Sequence, residues 1–417
     1  MNALAMLVLA PSFAGQNAGD SSWTRWGGPT GDFRVVVPEL VEAWPASGPR
    51  RLWEIELGDG YSAVLCRGER LYTAYREEET EIVVALDRKD GSLVWDFAYE
   101  AGRYPDMTKQ FGEGPNATPL LLRDRLVTIG VTGKVTCLDA DSGDPLWELD
   151  LHAEFGRQKR REEYGYSGMP LEHDGKILVL VGGDQHAVVA LDPADGSLVW
   201  GSAPGRVSYA PPALLRLGGS DQLVYFSPTE VIGLDPKNGK QLWSYPVKCV
   251  TENNLTPVAL CPEDHLWVAC QLDGGTRVLK ITPERDAFSA TAVWTSQTLK
   301  QGHWPSIVLG DHVYGALGDT GSMFGAVNWR TGETAWKERD FPGAQVLYAD
   351  GRIILIDENG QVAMLRASPE GPKVLCTAQV LENVSWTVPT LVDTTLYVRD
   401  RKRIVALDLA KSSYEDG

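Results

Sequence analysis

The phrase "IVVALDRKDGSLVW", from Ile82 to Trp95, constrains this chain more than any other feature, because the chain writes it again and again. It returns as "VTCLDADSGDPLW" ending at Trp147, "VVALDPADGSLVW" ending at Trp200 and "VIGLDPKNGKQLW" ending at Trp243. Weaker copies end at Trp294, Trp336 and Cys376, and an eighth, "IVALDLAKSSYEDG", stops before a second apolar run. The closing residues are 52, 53, 43, 51, 42 and 40 positions apart. That period fits propeller blades of four strands with loops of varying length. Short β-branched and aromatic runs separated by Gly, Asp and Asn give the period of strands, not helices.

Two earlier strand-like runs precede each phrase, as in "SAVLC" and "RLYTAYR" or "TPLLL" and "RLVTIGV". Four strands per period and eight periods predict an all-β, eight-bladed propeller with antiparallel blades. The eighth phrase lacks its outer strand, and "RRLWEIELG" around Trp53 is an outer-type strand without partners. The orphan and the gap match, so the N-terminal strand is expected to complete the last blade and close the ring. Closure would remove an open sheet edge, which otherwise invites aggregation.

Residues 51–411 are thus read as the propeller, 21–50 as an N-terminal extension and 412–417 as a C-terminal tail. Residues 1–20 read as a signal peptide or a disordered tail, with Leu4–Ala10 as the apolar stretch and Ser12-Phe13-Ala14 as a cleavage site. No cysteine precedes Cys66, so a lipid anchor on an N-terminal cysteine is not expected. Cys261 and Cys270 flank a hairpin in a register that does not pair them, and no disulfide is expected.

In each phrase the Asp-x-x-x-Gly turn supplies a local acceptor and a residue tolerant of positive φ. Its aspartates are expected to hold turns, because a catalytic group should break a repeat rather than express it. The tryptophans are expected to fill the gap between neighbouring blades. With a net charge of −17, the protein should repel nucleic acid and anionic bilayers. No stretch of 18 apolar residues offers a membrane span. The six histidines show no metal-ligand spacing, so no metal site is expected.

At its best-formed phrases, Ala85-Leu86-Asp87…Asp90-Gly91…Trp95 and Ala190-Leu191-Asp192…Asp195-Gly196…Trp200, the sequence resembles the quinoprotein-like propellers. These include the pyrroloquinoline quinone (PQQ) dehydrogenases and non-enzymatic relatives, among them an outer-membrane protein assembly lipoprotein. The resemblance runs from Trp53 to Leu409. It implies the fold and says little of activity. The family's dehydrogenases carry adjacent cysteines, a calcium set of Glu, Asn and Asp, and a base Asp. This chain has no adjacent cysteines and no C-x-x-C-H haem motif, and Glu113 with Asn116 finds no third calcium ligand.

The resemblance therefore implies a non-enzymatic extracytoplasmic scaffold, periplasmic or secreted, monomeric and without cofactor, with envelope protein assembly as one setting. The alternative is a divergent PQQ-dependent alcohol or sugar oxidoreductase using PQQ with calcium. A partner protein, or a small polar or planar ligand, should meet the rim where the innermost strands begin. Rim residues are Tyr61-Ser62, Asn116, Tyr166, Tyr209, Asn254, His303 and Trp386, with Glu113 in the long loop feeding it; no catalytic residue is assigned. An enzyme would need a channel open above this ring, with a carboxylate cluster beside a flat aromatic floor. Aromatic side chains that close the channel would argue against one.

Overall fold

A computed structural model describes residues 22–102, 107–108, 110–156, 164–248, 255–260, 264–271, 274–285 and 287–414. The strands form eight sheets, each with a core of four antiparallel strands, which are consecutive in seven of them. Blade 1 is Leu65–Arg67, Arg70–Glu77, Thr80–Asp87 and Leu93–Glu100. Blades 2 to 7 repeat this order, and their first strands begin at Leu120, Leu171, Ala213, Val258, Ser306 and Gln345. In blade 8, Thr390–Val392, Thr395–Arg399 and Arg403–Asp408 are joined by Arg50–Glu56, which pairs antiparallel with Arg403–Asp408. First strands touch between blades 2 and 3, 4 and 5, and 6 and 7, as expected of strands that line the central channel.

Burial follows position in the blade. In Thr80–Asp87 every residue from Glu81 to Leu86 is buried, whereas the outer strand Leu93–Glu100 alternates. Inner strands pack on blades at both faces, which is why they read as unbroken apolar runs.

The turns are held as their chemistry predicts. Asp87 Oδ1 accepts from the Lys89 amide at 2.8 Å, and its carbonyl accepts from the Gly91 amide at 2.9 Å. Asp139, Asp192, Asp235 and Asn328 do the same in blades 2, 3, 4 and 6. Gly91 and Gly143 sit at φ of 76° and 80°, a region costly for any side chain.

Those glycines also seat the tryptophans. A Cβ on Gly143 would lie 2.6 Å from the Trp95 ring, and one on Gly196 would lie 2.7 Å from Trp147. Each indole then donates across the blade interface: Trp95 to the Ala140 carbonyl at 3.2 Å and Trp147 to that of Pro193 at 2.9 Å. Trp53, on the outer strand of blade 8, repeats this against blade 1, over Gly91 and onto the Arg88 carbonyl at 3.0 Å. Trp243 breaks the pattern. In blade 5 the third and fourth strands pair up to Pro283 and Phe288, and the sequence between them has no glycine, so there is no glycine seat. Trp243 instead lies over Gly233 of its own blade and donates to Gln222 Oε1 at 2.6 Å.

The N-terminal extension crosses the channel. Trp23 bridges to Cys66 in the first strand of blade 1, and the Thr24 carbonyl accepts from Leu121 in blade 2. Trp26 Nε1 donates to Thr256 Oγ1, just before blade 5, at 3.2 Å. Blades 1 and 5 are opposite in a ring of eight, so Trp23–Trp26 spans its centre. Arg34–Val35 then adds a parallel strand to the inner edge of blade 7, and Leu40 and Val41 reach Asp350 and Leu409. Trp23, Phe33, Leu40 and Trp44 are all buried.

Candidate functional site: an aromatic channel mouth

The segments leading into the first strands place aromatic side chains around the mouth of the channel. Trp386, before blade 8, stacks on Tyr61, before blade 1, with ring centroids 5.8 Å apart and planes at 23°. Phe111, before blade 2, lies 5.4 Å from Trp386. His303, before blade 6, lies 5.3 Å from the same indole and 4.2 Å from Trp304. From Phe111 the contacts run on to Tyr164 at 6.4 Å and from there to Tyr209, before blade 4, at 5.4 Å. Contacts between approaches 6 and 8, and between 8 and 2, skip the blade between them. These rings therefore reach inward and meet over the channel.

Hydrogen bonds fix the cluster. The Tyr61 hydroxyl donates to the Phe111 carbonyl, and burial pushes its pKa up to about 12. Trp386 Nε1 donates to Glu358 Oε2 at 3.3 Å. His303 Nε2 is buried with no hydrogen-bond partner, and burial pushes this imidazole down to about 4. An unfolded histidine titrates near 6.5. The folded state thus binds fewer protons below that pH. Its contribution should be complete above pH 6.5 and be lost as pH falls towards 4. We expect His303→Phe to flatten this part of the stability profile, read by urea denaturation at stepped pH. Parallel losses in both proteins would mean that His303 is not held neutral.

A charged band borders the aromatic cluster. Arg76, nearly buried, lies 3.6 Å from Glu81 and 3.9 Å from Glu113. Glu81 Oε2 accepts from the Tyr99 hydroxyl at 2.5 Å, and Oε1 accepts from the Val131 amide at 3.1 Å. Burial raises the Glu81 pKa against these bonds. Asp59 is held by the Nε and Nη2 edge of Arg401. A cleft of about 760 Å³ opens here, lined by Gly58, Asp59, Arg76, Glu113 and Lys402 among others.

The rim residues read from sequence divide accordingly. Tyr61, Tyr209, His303 and Trp386 join the aromatic cluster. Glu113 belongs to the Arg76 band. Asn116 donates from Nδ2 to the Tyr164 carbonyl at 2.8 Å, so it positions a ring rather than presenting itself. Tyr166 is partly buried and packs against the core between blades 2 and 3, near Gly133, while Tyr164 stands in the aromatic cluster. Asn254 lies outside the described residues, as does Cys261. Phe111, Tyr164 and Trp304 are the members that rim alignment did not single out. Phe111 and Tyr164 sit in the two longest loops, where the repeat gives no register.

Among the described residues no three His, Cys, Asp or Glu side chains form a metal-ligand group. No described helix is long and apolar enough to cross a membrane.

A sequence profile described as outer membrane protein assembly factor BamB matches residues 79–338, more than half of the chain. The chain belongs to this BamB family. BamB from Moraxella catarrhalis has the same fold, with a TM-score of 0.61 and 20% identity over 86% of this chain and 97% of that one. The quinohemoprotein alcohol dehydrogenase of Comamonas testosteroni reaches a TM-score of 0.61 at 11% identity, over 93% of this chain and 80% of that one. The computationally designed protein Ika8 reaches 0.56 at 10% identity, over 86% of this chain and 100% of its own. At such identities the likeness concerns the fold alone. Among curated proteins, quinohemoprotein alcohol dehydrogenase ADH-IIG of Pseudomonas putida is 24% identical over 123 residues, 28% of this chain and 16% of that protein. The match thus spans well under two thirds of the relative's length.

Proposed function

We propose that this BamB-family propeller is a non-enzymatic extracytoplasmic scaffold, which binds a protein partner or a small planar or polar ligand at the aromatic mouth. The carrying observation is the ring cluster itself, in which aromatic side chains from opposite sides of the ring meet over the channel. Half-buried aromatics grouped in this way offer a large, preordered contact area at low entropic cost. Membership of the BamB family favours a protein partner, with envelope protein assembly as the setting and the periplasm or exterior as the compartment. A monomer suffices for this role.

The partial likeness to a quinohemoprotein alcohol dehydrogenase gives a second reading, a PQQ-dependent oxidoreductase. The donor set suits it poorly. Of the carboxylates beside the mouth, Asp59 and Glu113 face Arg401 and Arg76, and Glu358 accepts from Trp386, so they are paired separately rather than grouped for calcium. Tyr61 stacks on Trp386, and Phe111 and His303 lean on the same indole, so a flat quinone would have to displace these contacts. Titrating the purified protein with PQQ and calcium should therefore leave the quinone spectrum unchanged, and a dye-linked alcohol assay should stay at background. Stoichiometric quinone binding with alcohol-dependent dye reduction would overturn the scaffold reading.

A further inference from the structure

We propose that Arg399 and Ser62 form a carboxylate-binding site between blades 8 and 1, next to the aromatic mouth. Arg399 ends the second strand of blade 8 and is 1% exposed. Its Nη1 is fully used: it donates to the Ser62 carbonyl at 2.6 Å, to Thr73 Oγ1 at 2.7 Å and to the Ala74 carbonyl at 2.9 Å. Among the described residues its Nε and Nη2 are buried with no hydrogen-bond partner, and so is the Ser62 hydroxyl. Buried donors left unmade are costly, and those of a cation most of all.

The free atoms are a particular pair. Nε and Nη2 form one edge of the planar guanidinium, the fork that grips both oxygens of a carboxylate. The same loop demonstrates this use. Two residues on, Arg401 holds both oxygens of Asp59 with its own Nε and Nη2. The nearby acids do not serve Arg399. Asp59 is taken by Arg401, and Asp400 accepts from Asn383, Lys402 and Arg403. Burial accordingly lowers the Arg399 pKa to about 10 despite both acids. Gly60 and Pro115 pack beside the fork, and a Cβ on Gly60 would lie 3.1 Å from Nη2. Asp59, one residue before Gly60, lines the cleft described above. Ser62 would add a third donor. The chemistry recognised is a carboxylate, carried by a free small acid or by the end of a peptide chain.

The test is thermal-shift titration of the full chain with acetate and, at equal ionic strength, its neutral isostere acetamide. Acetate should raise the melting temperature saturably and acetamide should not. Ser62→Ala leaves the carbonyl that holds Arg399 in place, and should weaken acetate by about threefold to tenfold. Arg399→Lys keeps the charge but loses the fork, and should weaken it by more than about tenfold. A short peptide with a free C-terminus, compared with its amidated form, separates the sources. Preference for the free terminus assigns a chain end, and acetate binding alone assigns a small acid. Equal shifts with acetate and acetamide, or an unchanged acetate affinity in Ser62→Ala, would overturn the site.

Discussion

Replacing Trp95 by Ala should cost about 3–5 kcal/mol of stability, among the largest effects of any single change in this chain. The indole is 9% exposed and wedged between blades 1 and 2. It lies against Tyr72, with ring centroids 6.0 Å apart, and over Gly143, and it donates to the Ala140 carbonyl. Ala would leave a cavity and an unpaired carbonyl together. Trp95→Phe should recover part of the volume but not the hydrogen bond. Gly143→Ala should also destabilise, through a clash at 2.6 Å and a φ of 80°. Combining it with Trp95→Ala should cost less than the two singles added, because the clash disappears with the ring. Urea denaturation of the four proteins reads this cycle. Strict additivity would show that the Gly–Trp seat is not what joins the blades.

The second large effect concerns the N-terminus. Truncation through residue 57 removes Arg50–Glu56 and leaves Arg403–Asp408 as an unpaired edge, although Ile404–Leu407 are fully buried in the intact protein. We expect that truncation to abolish cooperative unfolding and to aggregate. Truncation through residue 46 keeps the strand but removes Trp23, Phe33, Leu40 and Trp44. Each of these contributes roughly 1.5–3 kcal/mol by burial, before the entropy of ordering the segment is subtracted. That protein should stay folded with a lower melting temperature. Adding a peptide of residues 48–58 should rescue the first truncation and not the second. If both truncations unfold with the same midpoint as the full chain, the strand does not latch blade 8.

The blades were legible because their signal is local and repeated. Asp87, Gly91 and Trp95 lie within one phrase, and their roles follow from turn chemistry and volume. The eight-bladed count and the pairing partner of Trp53 came from the one incomplete copy. Trp243 could not be foreseen from its own phrase, since what it lacks is a glycine in the next one. The mouth was half legible. Tyr61, Tyr209, His303 and Trp386 hold fixed positions before a first strand, so alignment finds them. Phe111 and Tyr164 do not, because they stand in the two longest loops, where the repeat gives no register. The extension was opaque for another reason: Trp23, Trp26 and Phe33 find partners in blades 1, 5 and 7, and no local pattern encodes such distant contacts. Arg399 was equally hidden, because a second-strand arginine reads as an ordinary strand end until its unfilled edge is seen.

The outer strand of blade 8 also sets a schedule. Glu54 meets Arg403 across 349 positions of sequence, while most other blades are built from neighbouring strands. Loop-closure entropy must be met before that pairing returns anything. During vectorial synthesis, Arg50–Glu56 emerges early and waits until almost the whole chain has followed. Once Arg403–Asp408 has followed, the chain carries two complementary unpaired edges, one at each end, until they pair. Folding should therefore finish in a slow, concentration-sensitive step, in which the last blade of one molecule competes with the first strand of another.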